Sequence, residues 1–510
     1  MSAWSDGYVT DIPYTHSFFR ELSPTFLNYC ALLHGVEPPE TKEGFSYLEL
    51  GCGHGVSTNM LAAVHPEGQF YGVDFMPAHV LFASKLAGQA KQDNVHFLER
   101  SFEDIAAGME ALPQFDYITF HGIYSWISEA NRHCLVEIVR RYLKPGGLVY
   151  CSYNAMPGWA GMAPVQWLLE SLSHGYAGNS LEAAQQALGF VAEMQDVDFG
   201  YFKANKDALE KRLNKLKHHK PAYVVHEYLN ASWHPLYFKQ VMTEMAGGKL
   251  DFVGQATPVT AFPRLSFPAK ALALAEKVDD PTLRETVLDF LSNNQFRRDI
   301  FSKSATRLAL PAATNLLMEI AFLPTSVFNK QVYEKQNQVF HSVIGLEYFR
   351  EIGKWIVKSP LRGPDLARFA GSQKLRPRDL VRVLALLVQS NLIAPCSQAD
   401  QAAATASARR MNRAAPYLNV GEAAVGHVAS AAIGTALPNE NRLVRQVISL
   451  LIDGCEADPA VLADQLVEKF SIQLRQDGKP LSPEVNRTRL MERVKNGLAA
   501  IGTWRRLGVN

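Results

Sequence analysis

The feature that most constrains this chain is a glycine-rich loop that follows directly on an apolar segment. Residues Phe45–Leu50 are mostly apolar, and glycines then occupy every second position at Gly51, Gly53 and Gly55. Segment Val56–Val64 continues at once with the composition of a helix. The pattern predicts a strand, a tight loop and a helix, the arrangement that holds a nucleotide-type ligand at the carboxyl end of a parallel strand. Glycine suits such a loop because it adopts positive φ readily and lets the backbone approach a ligand.

Two classes of cofactor fit a loop of this kind. A dinucleotide fingerprint has a third glycine where this chain has Val56, and Glu49 at the entrance would repel a pyrophosphate. S-adenosylmethionine (SAM) has a sulfonium and an ammonium and no phosphate, so an acidic entrance suits it better. Residues 70–74 read as the next strand and end in Asp74, 25 positions after Glu49, near the spacing at which an acid accepts ribose hydroxyls. The remaining alternative is a purely structural glycine turn.

The motif E-x-G-x-G-x-G followed by Asp74 resembles the class I SAM-dependent methyltransferases. Many members of that class place an Asp after the third strand to accept the adenine amino group. This chain has Ser101 in that slot and Phe102 beside it, where the ring would stack on adenine. The cofactor-binding residues that the resemblance implies are Glu49, Gly51, Cys52, Gly53, Gly55, Asp74, Ser101, Phe102 and His121.

Strands and helices alternate regularly beyond the loop. The further predicted elements are strands at 94–98, 115–120 and 147–153 and helices at 77–91 and 129–143. The run Lys144-Pro-Gly-Gly147 is interpreted as a helix stop and turn. The alternation predicts an α/β fold with a doubly wound parallel sheet, the Rossmann-like architecture of class I methyltransferases. Residues 1–44 either pack on this sheet or form a lid that closes over the cofactor with Tyr14 or Phe18.

Polar and aromatic residues follow the fourth and fifth predicted strands. His121, Tyr124 and Trp126 come directly after one, and Asn154 ends the other. The carboxyl ends of parallel strands face the ligand, and aromatic faces attract a cationic methyl donor or an ammonium acceptor. We therefore predict His121, Tyr124, Trp126 and Asn154 as catalytic residues. The competing interpretations are core packing for the rings and an Asx-type turn for Asn154.

Composition and charge narrow the class of protein. The 510 residues have an ordinary globular composition, and a formal net charge of +1 gives no general attraction to nucleic acid or anionic membrane. The amino-terminal residues do not read as a signal peptide, and no apolar run is long enough to cross a bilayer. The six cysteines include no C-x-x-C pair, which argues against a cysteine-rich zinc site. We expect a cytoplasmic enzyme with no metal and no membrane insertion.

A second set of motifs follows the fifth predicted strand. H-E-Y-L begins at His226 and N-x-x-F-R ends at Arg297. Together with H-G-x-Y-S-W, L-K-P-G-G and Y-N-x-x-P-G-W, they resemble bacterial methyltransferases that carry a methyltransferase regulatory domain. Characterised members are rickettsial-type protein-lysine methyltransferases, which modify outer-membrane proteins, and the resemblance places His226, Glu227 and Tyr228 near the active-site mouth. A zinc motif H-E-x-x-H is excluded because Asn230 stands where the second histidine would be.

The C-terminal part reads as mainly helical. Helices predicted at 346–357, 363–369 and 378–392, followed by an apolar stretch at 393–396, are compatible with a winged-helix module. The rickettsial-type family also carries a winged-helix-like domain. Basic and acidic residues alternate there, so we expect a protein contact rather than DNA binding; the residues are Lys374, Arg376, Arg378, Arg382, Asp365 and Asp379. The alanine-rich segment 402–415 is predicted as a linker or an exposed helix.

These patterns predict three regions. They are a SAM-binding methyltransferase core at 1–205, a regulatory region at 206–310 and a helical, winged-helix-like domain at 311–510. The predicted reaction is N-methylation of lysine side chains of a protein substrate by in-line transfer from SAM, and a homodimer is compatible with the sequence. The alternatives are a methyltransferase acting on a small molecule or a lipid, and a SAM-binding regulator whose winged helix contacts DNA or a partner protein.

Overall fold

A seven-stranded sheet forms the centre of the molecule. The computed structural model describes residues 17–176, 178–218, 225, 227–230, 232–325, 363–372, 374–420, 423–439, 441–476 and 478–510. The sheet has the order β3-β2-β1-β4-β5-β7-β6. Its strands are β1 (Phe45–Leu50), β2 (Gly68–Asp74), β3 (Val95–Glu99), β4 (Phe115–Phe120), β5 (Leu143–Asn154), β6 (Leu250–Gln255) and β7 (Phe296–Lys303).

Strands β1 to β5 run parallel, as the sequence predicts. Strand β7 is antiparallel to both of its neighbours, β5 and β6. The sheet is therefore mixed rather than wholly parallel, because β7 returns between two strands of the other direction. The antiparallel pairing of β5 with β7 begins at Asn154, which faces Phe296. The end of β5 that carries Asn154 is thus fixed on one side by the start of β7.

Five helices surround the first five strands. They are α1 (Pro24–Leu33), α2 (Val56–Val64), α3 (Pro77–Gln89), α4 (Phe102–Ala107) and α5 (Glu129–Tyr142). Serine hydroxyls accept a backbone N–H at the beginnings of three of them, at Ser23, Ser101 and Ser128, so these starts are encoded locally. The run Lys144–Gly147 does not form a turn after α5. It lies within β5, where the register against β4 shifts.

A helical insertion separates β5 from β6. It contains α6 (Ala163–Ser173), α7 (Ser180–Asp196), α8 (Gly200–Ala204), α9 (Lys206–His218) and α10 (Phe238–Gly247), and α6 to α9 contribute to a hydrophobic cluster of their own. Two more helices, α11 (Ala269–Ala275) and α12 (Pro281–Ser292), connect β6 to β7. The last two strands of the core sheet therefore come from the predicted regulatory region. The boundary predicted at residue 205 separates strands that lie in one sheet.

The C-terminal half is mainly helical. Its helices are α13 (Leu310–Glu319), α14 (Gly363–Ser372), α15 (Pro377–Gln389), α16 (Gln401–Ala414), α17 (Arg442–Ile452), α18 (Pro459–Phe470), α19 (Pro483–Leu498) and α20 (Ile501–Arg506). Four short antiparallel pairs accompany them: β8 (Phe322–Pro324) with β9 (Ile393–Pro395), β10 (Asn419–Val420) with β11 (Ala423–Ala424), β12 (His427–Ser430) with β13 (Thr435–Pro438), and β14 (Arg475–Gln476) with β15 (Lys479–Pro480). The first helix of the predicted winged-helix module, 346–357, lies outside the described residues, and that module stays a prediction.

One hydrophobic cluster joins the C-terminal half to the methyltransferase sheet. It contains Tyr47 of β1, Met60 of α2, Leu384 of α15 and Met411 of α16, all fully buried. The alanine-rich segment is therefore neither a linker nor an exposed helix. It forms α16, which packs against α2, because the small Ala404 and its neighbours allow two helices to approach closely. The prediction was wrong at this point, since composition alone does not reveal the packing partner.

Two further observations concern membrane spans and metal sites. None of the described helices combines the length and the apolar character that a bilayer crossing requires. The described part of the chain also contains no group of three or more His, Cys, Asp or Glu side chains arranged to bind a metal ion.

Candidate active site

The glycine loop lies between β1 and α2, and its three glycines have left-handed backbone conformations. The φ angles of Gly51, Gly53 and Gly55 are +69°, +53° and +63°. A Cβ on Gly55 would come within 2.6 Å of the Phe97 ring, so this position has no room for a side chain. A Cβ on Gly53 would meet no heavy atom within 4 Å, so the loop has open space on that side. Such an exposed backbone is what a close-lying ligand needs.

Glu49 carries a buried carboxylate at the entrance of the loop. Its side chain accepts a hydrogen bond from the Thr58 hydroxyl at 2.5 Å, and no ion pair to it occurs among the described residues. Burial raises the pKa of the Glu49 carboxyl to about 7, and the nearby Asp74 carboxylate adds to this rise. A buried acid without a protein cation beside it fits a cationic ligand. The residues present therefore match the charge of SAM, and not that of a dinucleotide.

Asp74 ends β2 and organises the other side of the loop. One carboxylate oxygen accepts the Gly53 N–H at 2.8 Å, and the other accepts the Met76 N–H at 3.0 Å and faces His79 Nδ1 at 3.1 Å. The His79 ring lies 4.3 Å from the ring of His54, which belongs to the glycine loop. The sequence reasoning missed this histidine pair. The feature that could have indicated it is the position of His79 in the first turn of the helix that follows Asp74.

Ser101 and Phe102 follow β3. The Ser101 hydroxyl accepts the Asp104 N–H at 3.1 Å, so its oxygen is used as the cap of α4. The Phe102 ring lies 3.8 Å from where a Cβ of Gly51 would stand. The structure thus places Phe102 against the glycine loop, whereas the Ser101 oxygen serves the helix. Cys52, also predicted as a cofactor contact, is buried, and its backbone N–H donates to Val73 at 3.0 Å.

His121 lies at the carboxyl end of β4 under an aromatic cover. The Phe19 ring stacks on it with centroids 3.6 Å apart, and the Tyr150 hydroxyl lies 2.8 Å from His121 Nδ1. Burial, with the Arg298 charge, lowers the pKa of His121 to about 3. His121 is therefore neutral at pH 7 and a poor proton acceptor.

The aromatic cover comes from a different residue than predicted. Tyr14 lies outside the described residues, and Phe18 is buried, with its ring 5.6 Å from that of His427. Its neighbour Phe19 instead covers His121. Arg20 then anchors this segment by donating to the Val388 carbonyl at 2.7 Å. Contacts to the C-terminal half therefore determine that Phe19 lies over His121, and a local sequence pattern does not reveal such contacts.

Tyr124 is not placed as its sequence position suggests. Its side chain is fully buried, and its hydroxyl donates to the Glu244 carboxylate of α10. Arg132 of α5 completes the group, with Nε 3.3 Å from Glu244 and the guanidinium 5.9 Å from the Tyr124 ring. A hydroxyl engaged in this way points into the core. In the structure Tyr124 therefore links the end of β4 to α10, and its catalytic role stays a prediction.

Three tryptophans meet beyond the ends of β4 and β5. The Trp233 ring lies 5.1 Å from that of Trp159, edge to face, and 6.2 Å from that of Trp126. Arg212 of α9 places its guanidinium 3.9 Å above the Trp159 ring. Trp233 Nε1 is buried and has no hydrogen-bond partner among the described residues. Of the three rings, only Trp126 was predicted as a site residue; Trp159 belongs to the motif Y-N-x-x-P-G-W without a predicted role, and Trp233 lies in a separate segment of the chain.

Asn154 lies at the end of β5, next to this aromatic group. Its backbone N–H donates to the Ser125 hydroxyl at 2.8 Å, and its carbonyl accepts from Leu236 at 2.9 Å. Its side-chain Nδ2 is buried and lacks a partner within the described part of the chain. Tyr228 of the H-E-Y-L motif approaches the same group, 6.2 Å from Trp159, whereas His226 lies outside the described residues.

This arrangement defines the class of SAM-dependent methyltransferases. Residues 41–195 match the family model of a methyltransferase domain, and residues 220–303 match that of a predicted methyltransferase regulatory domain. An uncharacterised protein of Synechocystis sp. is 39% identical over 349 residues, which cover 67% of this chain and 68% of that protein. An uncharacterised protein of Rickettsia prowazekii is 28% identical over 235 residues, 45% of this chain and 90% of its own. The chain belongs to the class I SAM-dependent methyltransferases that carry a methyltransferase regulatory domain.

A solved structure resembles nearly the whole chain. It is that of PKMT2 from Rickettsia typhi in complex with AdoHcy, with a TM-score of 0.68 and 19% identity, covering 95% of this chain and 98% of that chain. At this identity the likeness establishes a common fold. The coverage shows that this fold includes the mainly helical C-terminal half.

Proposed function

We propose that this enzyme transfers a methyl group to the side-chain amine of lysine in a protein substrate. The observation that carries the proposal is the group formed by Trp126, Trp159 and Trp233 beyond the strand ends that also carry Asn154. Tryptophan faces attract an ammonium ion. The resemblance to protein-lysine methyltransferases and the fold shared with PKMT2 support the same class of acceptor.

The glycine loop and its neighbours would hold the cofactor. When bound, SAM supplies an electrophilic methyl group on a positively charged sulfur. The Glu49 carboxylate would balance the positive charge, and the Asp74 oxygens retain lone pairs for the ribose hydroxyls. Phe102 would lie against the adenine, since it already borders the loop at Gly51. The covering Phe19 and His121 would exclude water from the same end of the sheet.

The acceptor amine must lose its proton before it can attack. A free lysine has a pKa of about 10.4, so at pH 7 only about one in 2,500 is neutral, a deficit of roughly 4–5 kcal/mol. His121 cannot take this proton near pH 7, because burial lowers its pKa to about 3. The site would instead favour the neutral amine by removing it from water beside a positive sulfonium. The Asn154 amide would orient the neutral nitrogen, and alignment would supply much of the rate.

The proposal is tested by transfer of labelled methyl from SAM into two portions of one cell lysate. In one portion the protein lysines are first blocked by acetylation, which removes their charge and their nucleophilic nitrogen. We expect discrete labelled protein bands in the untreated portion, labelled lysine by mass spectrometry, and loss of the bands after acetylation. The Asp74→Asn variant serves as the control without cofactor binding. Bands that survive acetylation, or label confined to small molecules or lipids, would overturn the lysine assignment.

A further inference from the structure

Arg212 already occupies the aromatic surface that a substrate cation would need. Its guanidinium lies 3.9 Å above the Trp159 ring, and its Nη2 donates to the Gly158 carbonyl at 3.1 Å. Arg212 belongs to α9, in the insertion between β5 and β6, whereas Trp159 follows directly on β5. The contact joins a helix of the insertion to the turn that follows β5. The cation on the Trp159 ring therefore belongs to the protein itself.

The Trp159 ring is held in a fixed plane. Its indole N–H donates to the Gln295 carbonyl at 2.8 Å, one residue before β7 begins. The Trp233 ring packs edge to face against it at 5.1 Å. An indole fixed on two sides presents a preorganised face for one cation, because it needs no rearrangement on binding. The face that Arg212 covers is therefore built as a cation site, whichever cation fills it.

Two side-chain donors in this part of the molecule are unpaired. Trp233 Nε1 and Asn154 Nδ2 are buried, and neither finds an acceptor among the described residues. Buried donors of this kind are normally paired, so they indicate a missing oxygen acceptor. A ligand that carries both a cation and oxygen acceptors would satisfy these donors and the aromatic face together, and a peptide with a basic side chain and backbone carbonyls is such a ligand. The chemistry of the surface thus matches a basic peptide segment.

We propose that the Trp159 face is the cation-binding position of the acceptor site and that Arg212 is its internal stand-in. A lysine-bearing peptide displaces Arg212 from Trp159, and α9 moves with it. In the absence of such a peptide, Arg212 keeps the position closed and so disfavours unspecific cations. The peptide assignment rests on the proposed function, whereas the exchange of one cation for another at Trp159 does not.

The exchange is tested by tryptophan fluorescence in the presence of saturating S-adenosylhomocysteine. The probes are tetramethylammonium and a short capped peptide, acetyl-Gly-Lys-Gly-amide. Arg212→Gln should bind both about tenfold more tightly than the wild type, a change of about 1.4 kcal/mol, because the internal competitor is gone. Arg212→Lys should restore the weaker binding. Trp159→Leu should abolish the gain when combined with Arg212→Gln.

Arg141→Gln provides the matched control. Arg141 also places its guanidinium over a ring, that of Tyr142 at 5.6 Å. It lies where α5 ends and β5 begins, at the opposite end of β5 from Asn154. Its loss should leave probe affinity unchanged. An Arg212→Gln enzyme that folds, binds S-adenosylhomocysteine normally and binds the probes no more tightly would show that Arg212 is a structural strut.

A second measurement uses the wild-type chain alone. Phenylglyoxal modifies exposed arginines, and mass spectrometry reports the rate at Arg212. The lysine peptide should speed this modification several-fold, and an unchanged or slower rate would overturn the displacement. If tetramethylammonium displaces Arg212 but no lysine is labelled in lysate, the cation site at Trp159 is supported and the proposed lysine acceptor is overturned. If lysine is labelled but no cation displaces Arg212, the lysine acceptor is supported and the proposed role of Arg212 is overturned.

Discussion

Glu49 is a buried acid at the entrance of the glycine loop, and burial brings its pKa into the neutral range. A carboxyl with a pKa of about 7 is half protonated at neutral pH, and the protonated form offers no charge to a cation. Because the pKa is raised in the folded chain, its contribution to stability is present at low pH and is lost as the pH rises through 7. A bound cation would reverse this preference and lower the pKa.

We therefore predict that SAM affinity increases about tenfold between pH 5.5 and 7, as the carboxylate forms. Isothermal titration calorimetry in buffers of different ionisation enthalpy measures both the affinity and the proton released on binding. Glu49→Gln should bind weakly and show little pH dependence in this range. Glu43→Gln, an exposed acid in the turn before β1, should retain the wild-type profile. A pH dependence that survives in Glu49→Gln would exclude Glu49 as its source.

Tyr124 leads to a different expectation, because its hydroxyl serves the core. Tyr124→Phe removes the donor to Glu244, and a hydrogen bond to a charged group contributes about 1.5–3 kcal/mol to folding. We predict a lower denaturation midpoint with SAM affinity and the single-turnover rate close to those of the wild type. Asn154→Ala should show the converse, with normal stability and slow transfer. Slow transfer in a fully stable Tyr124→Phe would support the predicted catalytic role.

At the scale of single elements, β7 joins the regulatory region to the strand that carries Asn154. Arg297 of β7 is fully buried and contacts Asp299 at 3.0 Å, Asp289 at 2.9 Å and Glu285 at 3.1 Å. The Tyr153 hydroxyl of β5 donates to Asp299 at 2.7 Å. The N-x-x-F-R motif therefore carries a buried ionic group that fixes α12, β7 and β5 together.

Arg297→Met should be strongly destabilising, because it leaves buried carboxylates without their cation. Breaking a buried pair in this way costs about 3–5 kcal/mol. We expect a lower melting temperature that recovers partly on acidification, when Asp289 and Asp299 accept protons. Arg298→Met changes the adjacent residue, whose side chain is 37% exposed, and should cost less than about 1 kcal/mol. Equal losses in both variants would show that the ionic group does not hold β7 in place.

Helix α16 packs against α2, the helix that follows the glycine loop. Ala408 is fully buried in the cluster that includes α2, whereas Ala403 on the same helix is exposed. Ala408→Leu should overpack this contact and cost about 1–3 kcal/mol, with a loss of SAM affinity as α2 is displaced. Ala403→Leu should change neither. Denaturant unfolding measures the loss of stability, and calorimetry measures SAM binding. Normal SAM binding by a destabilised Ala408→Leu variant would show that the packing of α16 on α2 does not affect SAM affinity.

At the scale of the whole molecule, the C-terminal half completes the core of the methyltransferase rather than standing apart. His65 Nε2, at the end of α2, lies 3.1 Å from the Gly434 carbonyl, and Ser23 before α1 donates to the same carbonyl at 2.7 Å. Removal of this half would expose the apolar faces of α1 and α2 to water. The C-terminal half, α1 and α2, which follows the glycine loop, therefore form one structural unit.

We predict that a chain ending at residue 325 does not form a stable SAM-binding protein. In the full chain, the loss of bound S-adenosylhomocysteine and the unfolding of the C-terminal half should occur in one thermal transition. The fluorescence of Trp504, in the last helix, reports the unfolding of the C-terminal half in a variant in which the other tryptophans are replaced by phenylalanine. A truncated chain that binds SAM with normal affinity and melts cooperatively would contradict this prediction.

The sequence by itself determined the local elements of the candidate cofactor site. The glycine loop, the acids Glu49 and Asp74 and the first five strands depend on backbone preferences and on short-range periodicity, so neighbouring residues suffice to predict them. Resemblance to known motifs added the class of reaction. In the structure the Asp74 carboxylate accepts the Gly53 N–H at 2.8 Å, so the two motifs meet, and their contacts to the cofactor stay a prediction.

Only the tertiary structure decided which aromatic residues face the site. Phe19 takes the position expected of its neighbour Phe18, Tyr124 turns into the core, and Trp159 and Trp233 join Trp126. It likewise placed β6 and β7 in the core sheet and α16 against α2. These outcomes depend on contacts between segments far apart in the chain. A periodic pattern specifies which face of an element is buried, but not which distant element buries it.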